Sequence, residues 1–494
     1  MNIQKIISFC GTKVNAIYYN DSHGQIKNIG GLLSARDEFF RENQDASNLT
    51  LSSGDVFLDK SKLNGTVATE LVAKTDALAI GNHDIGSGEK YFKGLIEKFG
   101  LYDKFLTANV LFKDKDLKKR IAKSKVLTKN GEKIGVIALS PSDFSKKAFI
   151  TDETREINIQ DFNASLDTLK EEVKKLEEQG INKIFLLAHT GEFGEQGENY
   201  YDKFAQIGGI DVIIGGHDHR EVNRMTTSKR NEPVVIVSTG RSKEHNFDEN
   251  LDYYGALELE FDDNGVLEQT KSKILKTPAV KNNFKENVIF SLSEPLKPSD
   301  RMTGHSELGN LVSDSNLWYV NAHTKGKKAD FAFINPGTIR DEIESQDISE
   351  EKIISVLPFM QSKLIKTELT KAQILKTLEH CAKSTELEKI YPGAMQVSGM
   401  EYTICPDLSV KDVHIINPDG SIKYNLDECS DDAKFPCVYD TFLMTGVAGL
   451  SELKKDPKDV EIFNVARQDA FKDYLMNAPE LIDYKQIRIK KQTV

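Results

Sequence analysis

Five of the ten histidines share one context: a β-type run ends, and a short turn carries His beside Asp, Asn or Gly. The segments are Asn20-Asp21-Ser22-His23-Gly24, Gly81-Asn82-His83-Asp84, Ala188-His189 and Gly215-Gly216-His217-Asp218-His219; Gly54-Asp55 repeats the context with a carboxylate alone. Mixed imidazole and oxygen donors suit Mn, Zn, Co or Fe better than Ca or Mg, and the absence of thiolates argues against a structural zinc site. Asp21-x-His23 and His217-x-His219 each project two ligands from one extended turn onto the same side. Asp55, with two oxygens and several lone pairs, can bridge two cations. Asp21, His23, Asp55, Asn82, His189, His217 and His219 are thus seven candidate ligands, enough for two metals with positions left for water and substrate. A lone strand-end His is usually a structural, hydrogen-bonded residue, and Asp55 after Gly54 would by itself be a turn. Five such elements in series point instead to one shared site.

The elements that must position these side chains alternate β-type runs with helical stretches, the pattern of an α/β fold. The runs are Val14 to Tyr19, Leu49 to Leu51, Ala77 to Ile80, Ile134 to Leu139, Ile184 to Ala188, Val212 to Ile214, Val234 to Val237 and Ala256 to Phe261. Ligands in such folds gather at the carboxyl ends of strands. Leu166, Leu169, Val173 and Leu176 recur at helical spacing. From Thr277 to Asp300 the pattern weakens, with Pro278, Pro295 and Pro298 punctuating a polar stretch. The expected organisation is therefore a domain over residues 1–276, a connection over 277–300 and a second α/β domain over 301–494. The second domain should begin with a helix through Leu308, Leu311, Val312 and Trp318, continue with a buried run from Phe331 to Ile334, and contain a helix opened by a capping box of Thr370 and Gln373.

Composition bounds the partners. With 494 residues the chain is too long for one core. Lys+Arg 65 against Asp+Glu 76 leaves a net charge of −11, which argues against polymeric nucleic acid or an anionic membrane surface as a partner. No apolar run approaches the roughly 20 residues of a membrane helix. Cys10, Cys381, Cys405, Cys429 and Cys437 are odd in number and scattered, so free thiols are expected. The start Met1 to Cys10 is no secretory signal, because its apolar stretch is short and Lys13 soon interrupts it; a cytoplasmic location is the expectation.

The ordered set Asp-x-His, Gly-Asp, Gly-Asn-His-Asp, Ala-His and Gly-His-x-His resembles the calcineurin-like metallophosphoesterases. Further on, Ser306-Glu307-Leu308-Gly309-Asn310-Leu311, Asn335-Pro336-Gly337-Thr338-Ile339-Arg340, Leu357-Pro358-Phe359 and Gln396-Val397-Ser398-Gly399 resemble the C-terminal domain of the 5′-nucleotidase family. The resemblance implies a four-layer α/β/β/α metallophosphoesterase sandwich followed by a smaller α/β substrate-specificity domain. It implies one metal on Asp21, His23 and His219, another on Asn82, His189 and His217, and Asp55 as the bridge. It implies His83 as the catalytic residue that contacts the phosphoryl group or protonates the leaving alkoxide, and Asn82, Arg301, Arg340, Phe359 and Phe442 as substrate-binding residues, the two rings sandwiching a nucleobase. For Arg301 a surface salt bridge is the competing reading, and for the two phenylalanines ordinary core packing.

Three positions depart from the family pattern. The carboxylate usually found three residues after the catalytic His is Gly86 here, with Asp84 and Glu89 the candidates to replace it. The turn Gly446-Val447-Ala448-Gly449-Leu450 lacks the family's Asp, and Gln361 stands where Asn is usual. The expected function is dimetal phosphoester hydrolysis by attack of a metal-bound water, on a small phosphate ester such as a nucleoside 5′-monophosphate. Alternatives on the same centre are a 2′,3′-cyclic nucleotide, a nucleotide-sugar pyrophosphate or a non-nucleotide ester. A nucleotide-binding protein without catalysis is the reading from another class.

Overall fold

Along the strand Glu132–Leu139 the side chains alternate between two cores, and that alternation builds the first unit. A computed structural model describes residues 11–144, 157–194, 196–240, 250–280, 287–297, 300–385 and 392–492, in two compact units, Met1–Phe284 and Lys285–Val494. Cys10 and Pro298 lie outside the described residues.

The first unit has, in chain order, β1 (Thr12–Tyr19), β2 (Ser47–Ser52), β3 (Ala77–Ala79), β4 (Phe105–Leu106), β5 (Ser124–Lys129), β6 (Glu132–Leu139), β7 (Ile184–Ala188), β8 (Val212–Gly215), β9 (Glu221–Thr227), β10 (Pro233–Thr239), β11 (Tyr253–Phe261) and β12 (Leu267–Lys276). Each run expected from the sequence falls on a strand. Two six-stranded sheets result, ordered β12-β11-β1-β2-β3-β4 and β5-β6-β7-β8-β10-β9. β1 to β4 are parallel, as are β6, β7, β8 and β10, while β11, β12, β5 and β9 add antiparallel edges. Val14, Ala16 and Tyr18 of one sheet and Ile134, Val136, Ala138, Phe185 and Leu187 of the other share a single buried core. The alternate residues of β6 and β7, among them Ile137, Leu139, Ile184 and Leu186, pack with Leu169, Val173 and Leu176 of helix Phe162–Glu178. Both faces of these strands are buried, so they read as continuous apolar runs. On the other sheet, Phe92 of helix Glu89–Lys98 sets its ring edge-on to Phe105 of β4, with centroids 5.2 Å apart. The layers are thus helix, sheet, sheet, helix.

The second unit holds a five-stranded sheet in the order Gln396–Ser398, Phe331–Ile334, Lys434–Asp440, Lys363–Thr370, Glu461–Ala466 and a four-stranded sheet in the order Ile422–Asn425, Val410–Ile416, Met400–Ile404, Ile489–Lys491. The expected helices are Glu307–His323 and Lys371–Ser384. The capping box of the latter is formed: Gln373 N–H donates to Thr370 Oγ1 at 3.2 Å, and Thr370 N–H to Gln373 Oε1 at 3.1 Å. Part of the stretch whose composition suggested a connection is ordered structure, because strand Val288–Ser291 pairs with Asp347–Ser349. Cys381, Cys405, Cys429 and Cys437 are free thiols. Among the described residues no helix is long and apolar enough to cross a membrane.

Candidate metal centre

Asp21 and His23 follow β1, Asp55 follows β2, Asn82 and His83 follow β3, His189 follows β7, and His217 and His219 follow β8. All five strands are parallel members of their sheets, and all these residues leave the carboxyl ends. Ligand atoms of Asp21, His23 and His219 lie within 4.8 Å of one another, as do those of Asp21, Asp55 and His189. Asp55 Oδ2 sits between two imidazoles, 3.7 Å from His23 Nε2 and 3.1 Å from His189 Nε2. Asn82 Oδ1 is 2.7 Å from His217 Nδ1. The structure thus brings together all seven candidate ligands.

Local backbone makes this convergence possible. Asp21, His23, Asp55, His217 and His219 all have left-handed φ, between 48° and 86°. Such a conformation costs a non-glycine residue about 1–3 kcal/mol and persists only where its surroundings demand it. The surroundings here are hydrogen bonds between turns. Asp84 accepts from the backbone N–H of Asp55 (2.9 Å), Phe57 (2.8 Å) and Gly81 (2.8 Å), so one carboxylate clamps the β2 turn to the β3 turn. Gly81 allows the turns to meet, because a Cβ there would lie 2.5 Å from Asp55 N and 2.6 Å from Asp55 Cγ. Asn20 Nδ2 donates to Asp21 Oδ2 at 2.6 Å, while Asn20 Oδ1 accepts from Thr239.

The donor set fits divalent cations. His189 Nδ1 lies 2.8 Å from the Ser53 carbonyl oxygen, which can only accept, so Nδ1 carries the proton. Nε2 then faces Asp55 Oδ2 at 3.1 Å and Asp21 Oδ1 at 3.8 Å. Two carboxylates on that nitrogen call for a positive charge between them, which a proton on Nε2 supplies in metal-free protein and a divalent cation would supply in its place. His217 meets an acceptor at each ring nitrogen, Asp143 Oδ1 at 3.0 Å from Nε2 and Asn82 Oδ1 at 2.7 Å from Nδ1, and these two contacts fix the plane of its ring.

Electrostatics agree. Burial raises the Asp55 and Asp21 carboxyls, but the surrounding imidazoles outweigh it and hold both well below the ordinary range. Burial would lower His189, yet Asp55 and Asp21 lift it to about 9. Burial pulls His23 down to about 4, and burial with the nearby Asp55 charge pushes Asp84 up to about 7.

Three polar residues of this centre have no role assigned from the sequence: Asn20, which stands in a ligand-bearing segment, and Asp143 and Asp59, which stand outside all of them. His83 Nδ1 lies 3.3 Å from Asp59 Oδ2. Neither carboxylate expected beside His83 fills that role. Asp84 is engaged by backbone N–H groups, and Glu89 accepts from the N–H of Lys113 and Asp114. Asp59 stands four residues after Asp55 and reads as an ordinary turn residue.

In the second unit, Arg340 sets its guanidinium over the half-buried Phe359 ring, 5.7 Å from the centroid. Phe442 is half-buried and packs against the core around Tyr439 and Leu443. Arg301 is buried, so the surface salt bridge is not what forms. It pairs instead with Glu342, and its Nη2 donates to the Ile339 carbonyl at 2.9 Å. Ala448 adopts a left-handed φ of 58°, and its carbonyl oxygen lies 2.7 Å from His380 Nε2.

Residues 17–221 match the calcineurin-like phosphoesterase family and residues 288–455 the 5′-nucleotidase C-terminal domain. Fold and site together define a metal-dependent phosphoester hydrolase. The chain carries a calcineurin-like phosphoesterase domain followed by a 5′-nucleotidase C-terminal domain. It is 25% identical to the trifunctional nucleotide phosphoesterase protein of Bacillus subtilis over 84% of this chain, and it spans 31% of that protein's length. It is 26% identical to a 5′-nucleotidase of Vibrio parahaemolyticus, over 70% of this chain and 71% of that one. A 5′-nucleotidase precursor from Thermus thermophilus shares the fold with a TM-score of 0.69 at 23% identity, covering 98% of this chain and 100% of that one.

Proposed function

We propose that the chain removes the 5′-phosphate from nucleoside monophosphates, with one divalent cation on Asp21, His23 and His219, another on Asn82, His189 and His217, and Asp55 common to both. The observation that carries this reading is Asp55 Oδ2 seated between His23 and His189 on a strained backbone. Divalent cations bound there would lower the pKa of a coordinated water and neutralise phosphoryl oxygens. His83 is the imidazole that faces the substrate: 26% of its side chain is exposed, against 9% or less for the other four. Arg340 and Phe359 hold the nucleobase, since an aromatic ring stacks on any base.

Metal analysis coupled to phosphate release tests the reading. Purified protein should bind two equivalents of Mn²⁺ or Co²⁺ and release phosphate from AMP, and both properties should be impaired in Asp55→Asn and His217→Ala. Equal turnover after exhaustive chelation would reject it. The Ala448 turn favours a second reading on the same centre, with a cyclic nucleotide, a nucleotide-sugar pyrophosphate or a non-nucleotide ester as substrate. AMP ranking last in a substrate panel would select that reading.

A further inference from the structure

We propose that Asp59 is the positioning residue for His83, supplying from the β2 loop the carboxylate that position 86 lacks. The inference rests on the hydrolase reading above. A carboxylate only accepts, so the contact between His83 Nδ1 and Asp59 Oδ2 at 3.3 Å places the ring proton on Nδ1 and leaves Nε2 for the reacting phosphate ester.

The pair is built, not incidental. Asp59 N–H donates to the His83 carbonyl at 3.2 Å, so backbone and side chains of the two residues are joined. The Asp59 carbonyl accepts from Asn64 Nδ2 at 2.8 Å, and Asn64 Oδ1 accepts from Leu58 N–H at 3.1 Å, which fixes the loop from its other side. Asp59 is held at φ 42°, a left-handed conformation that its neighbours must enforce. Its side chain is 10% exposed.

Gly86 shows why the carboxylate comes from elsewhere. Its φ of −59° suits any residue, so no conformational need selects glycine. A Cβ at 86 would instead lie 2.7 Å from Asp59 Oδ1 and 2.7 Å from the Asn82 carbonyl oxygen. A side chain at 86 and the Asp59 carboxylate therefore exclude one another, and this chain has taken the second arrangement.

In the reaction, a water oxygen bonds to phosphorus as the ester P–O bond breaks. His83 enters with protons on both ring nitrogens: the departing oxygen takes the one on Nε2, the one on Nδ1 stays against Asp59, and the proton shed by the water restores Nε2 through solvent. Asp59 keeps the ring aimed throughout.

A double-mutant cycle tests this on the Mn²⁺-loaded enzyme with AMP, comparing wild type, Asp59→Asn, His83→Gln and the double variant. Asparagine keeps the size and tolerates left-handed φ. Asp59→Asn should lower kcat by about tenfold or more with KM and Tm unchanged. In the His83→Gln background the same change should alter kcat less than about twofold, because the partner is gone. An equal fall in both backgrounds, or a wild-type kcat in Asp59→Asn, would overturn the proposal. Wild-type turnover of AMP or another ester tests the hydrolase reading separately. If no ester is turned over, ¹⁵N NMR of the His83 ring in Zn²⁺-loaded protein decides: an Nδ1–H tautomer that becomes Nε2–H in Asp59→Asn upholds the pairing, and an unchanged tautomer refutes it.

Discussion

Replacing Gly81 by alanine adds one methyl group at the point where the β2 and β3 turns meet. The backbone at Gly81 has φ −89° and ψ 178°, which alanine adopts freely, so any effect must come from space. The added Cβ would lie 2.5 Å from Asp55 N and 2.6 Å from Asp55 Cγ, and it would overlap Asp55 Oδ1. Ordinary carbon contacts are about 3.5 Å, so Asp55 must retreat by about 1 Å. Overpacking of this kind costs about 1–3 kcal/mol of stability. A displacement of about 1 Å at a reacting centre costs about 10²-fold in rate, which corresponds to about 2.7 kcal/mol in the barrier. Gly81→Ala should therefore fold, unfold at lower urea concentration, bind Mn²⁺ more weakly by calorimetry and lose about 10²-fold in kcat/KM on AMP. Wild-type values for both cation affinity and kcat/KM would refute the reasoning, because they would mean that the Asp55 carboxylate does not lie against Gly81 in the working enzyme.

Three further outcomes follow from the same geometry. Asp143→Asn removes the carboxylate that orients His217 and should weaken Mn²⁺ binding about 10–100-fold while leaving the urea midpoint nearly unchanged. In metal-free protein His189 is raised to about 9, so it contributes stability that is full below its unfolded value, near 6.5, and is lost as pH rises towards 9. Cation binding must displace that proton, so affinity should rise across the same window; calorimetry at pH 7.5 in two buffers of different ionisation enthalpy should report proton release, and buffer-independent heats would contradict it. Phe359→Ala should raise KM for AMP by about 5- to 150-fold, the equivalent of about 1–3 kcal/mol of stacking, and should leave KM for p-nitrophenyl phosphate almost unchanged; equal effects on both substrates would assign Phe359 to packing.

Much of this protein is legible in its chain because the relevant signals are local. A strand buried on both faces is a continuous apolar run, as in Ile184 to Ala188, and its end is marked by the residues that follow it. Ligand-bearing turns at strand ends can therefore be read in order, and the seven residues so read converge. The capping box of Thr370 and Gln373 is equally local, since its partners stand three residues apart. Strand Val288–Ser291 escaped because it is short, lies in a polar stretch and owes its existence to pairing with Asp347–Ser349.

Tertiary structure alone decided which side chains serve those ligands. Asp59 reaches His83 across 24 residues and Asp143 reaches His217 across 74, and no spacing in the chain distinguishes either carboxylate from its many acidic neighbours. Arg301 could be read as a substrate-binding residue or as a surface ion pair, and the fold buries it in a pair with Glu342. The left-handed backbone of Asp21, His23, Asp55, His217 and His219 is tolerated by Asp and His but not dictated by them; hydrogen bonds between turns, such as Asp21 N–H to the Gly54 carbonyl and His23 N–H to the Asp55 carbonyl, impose it. Local sequence sets what each strand end carries; the order of strands in the two sheets sets which ends become neighbours, and orientation, protonation and strain depend on those neighbours.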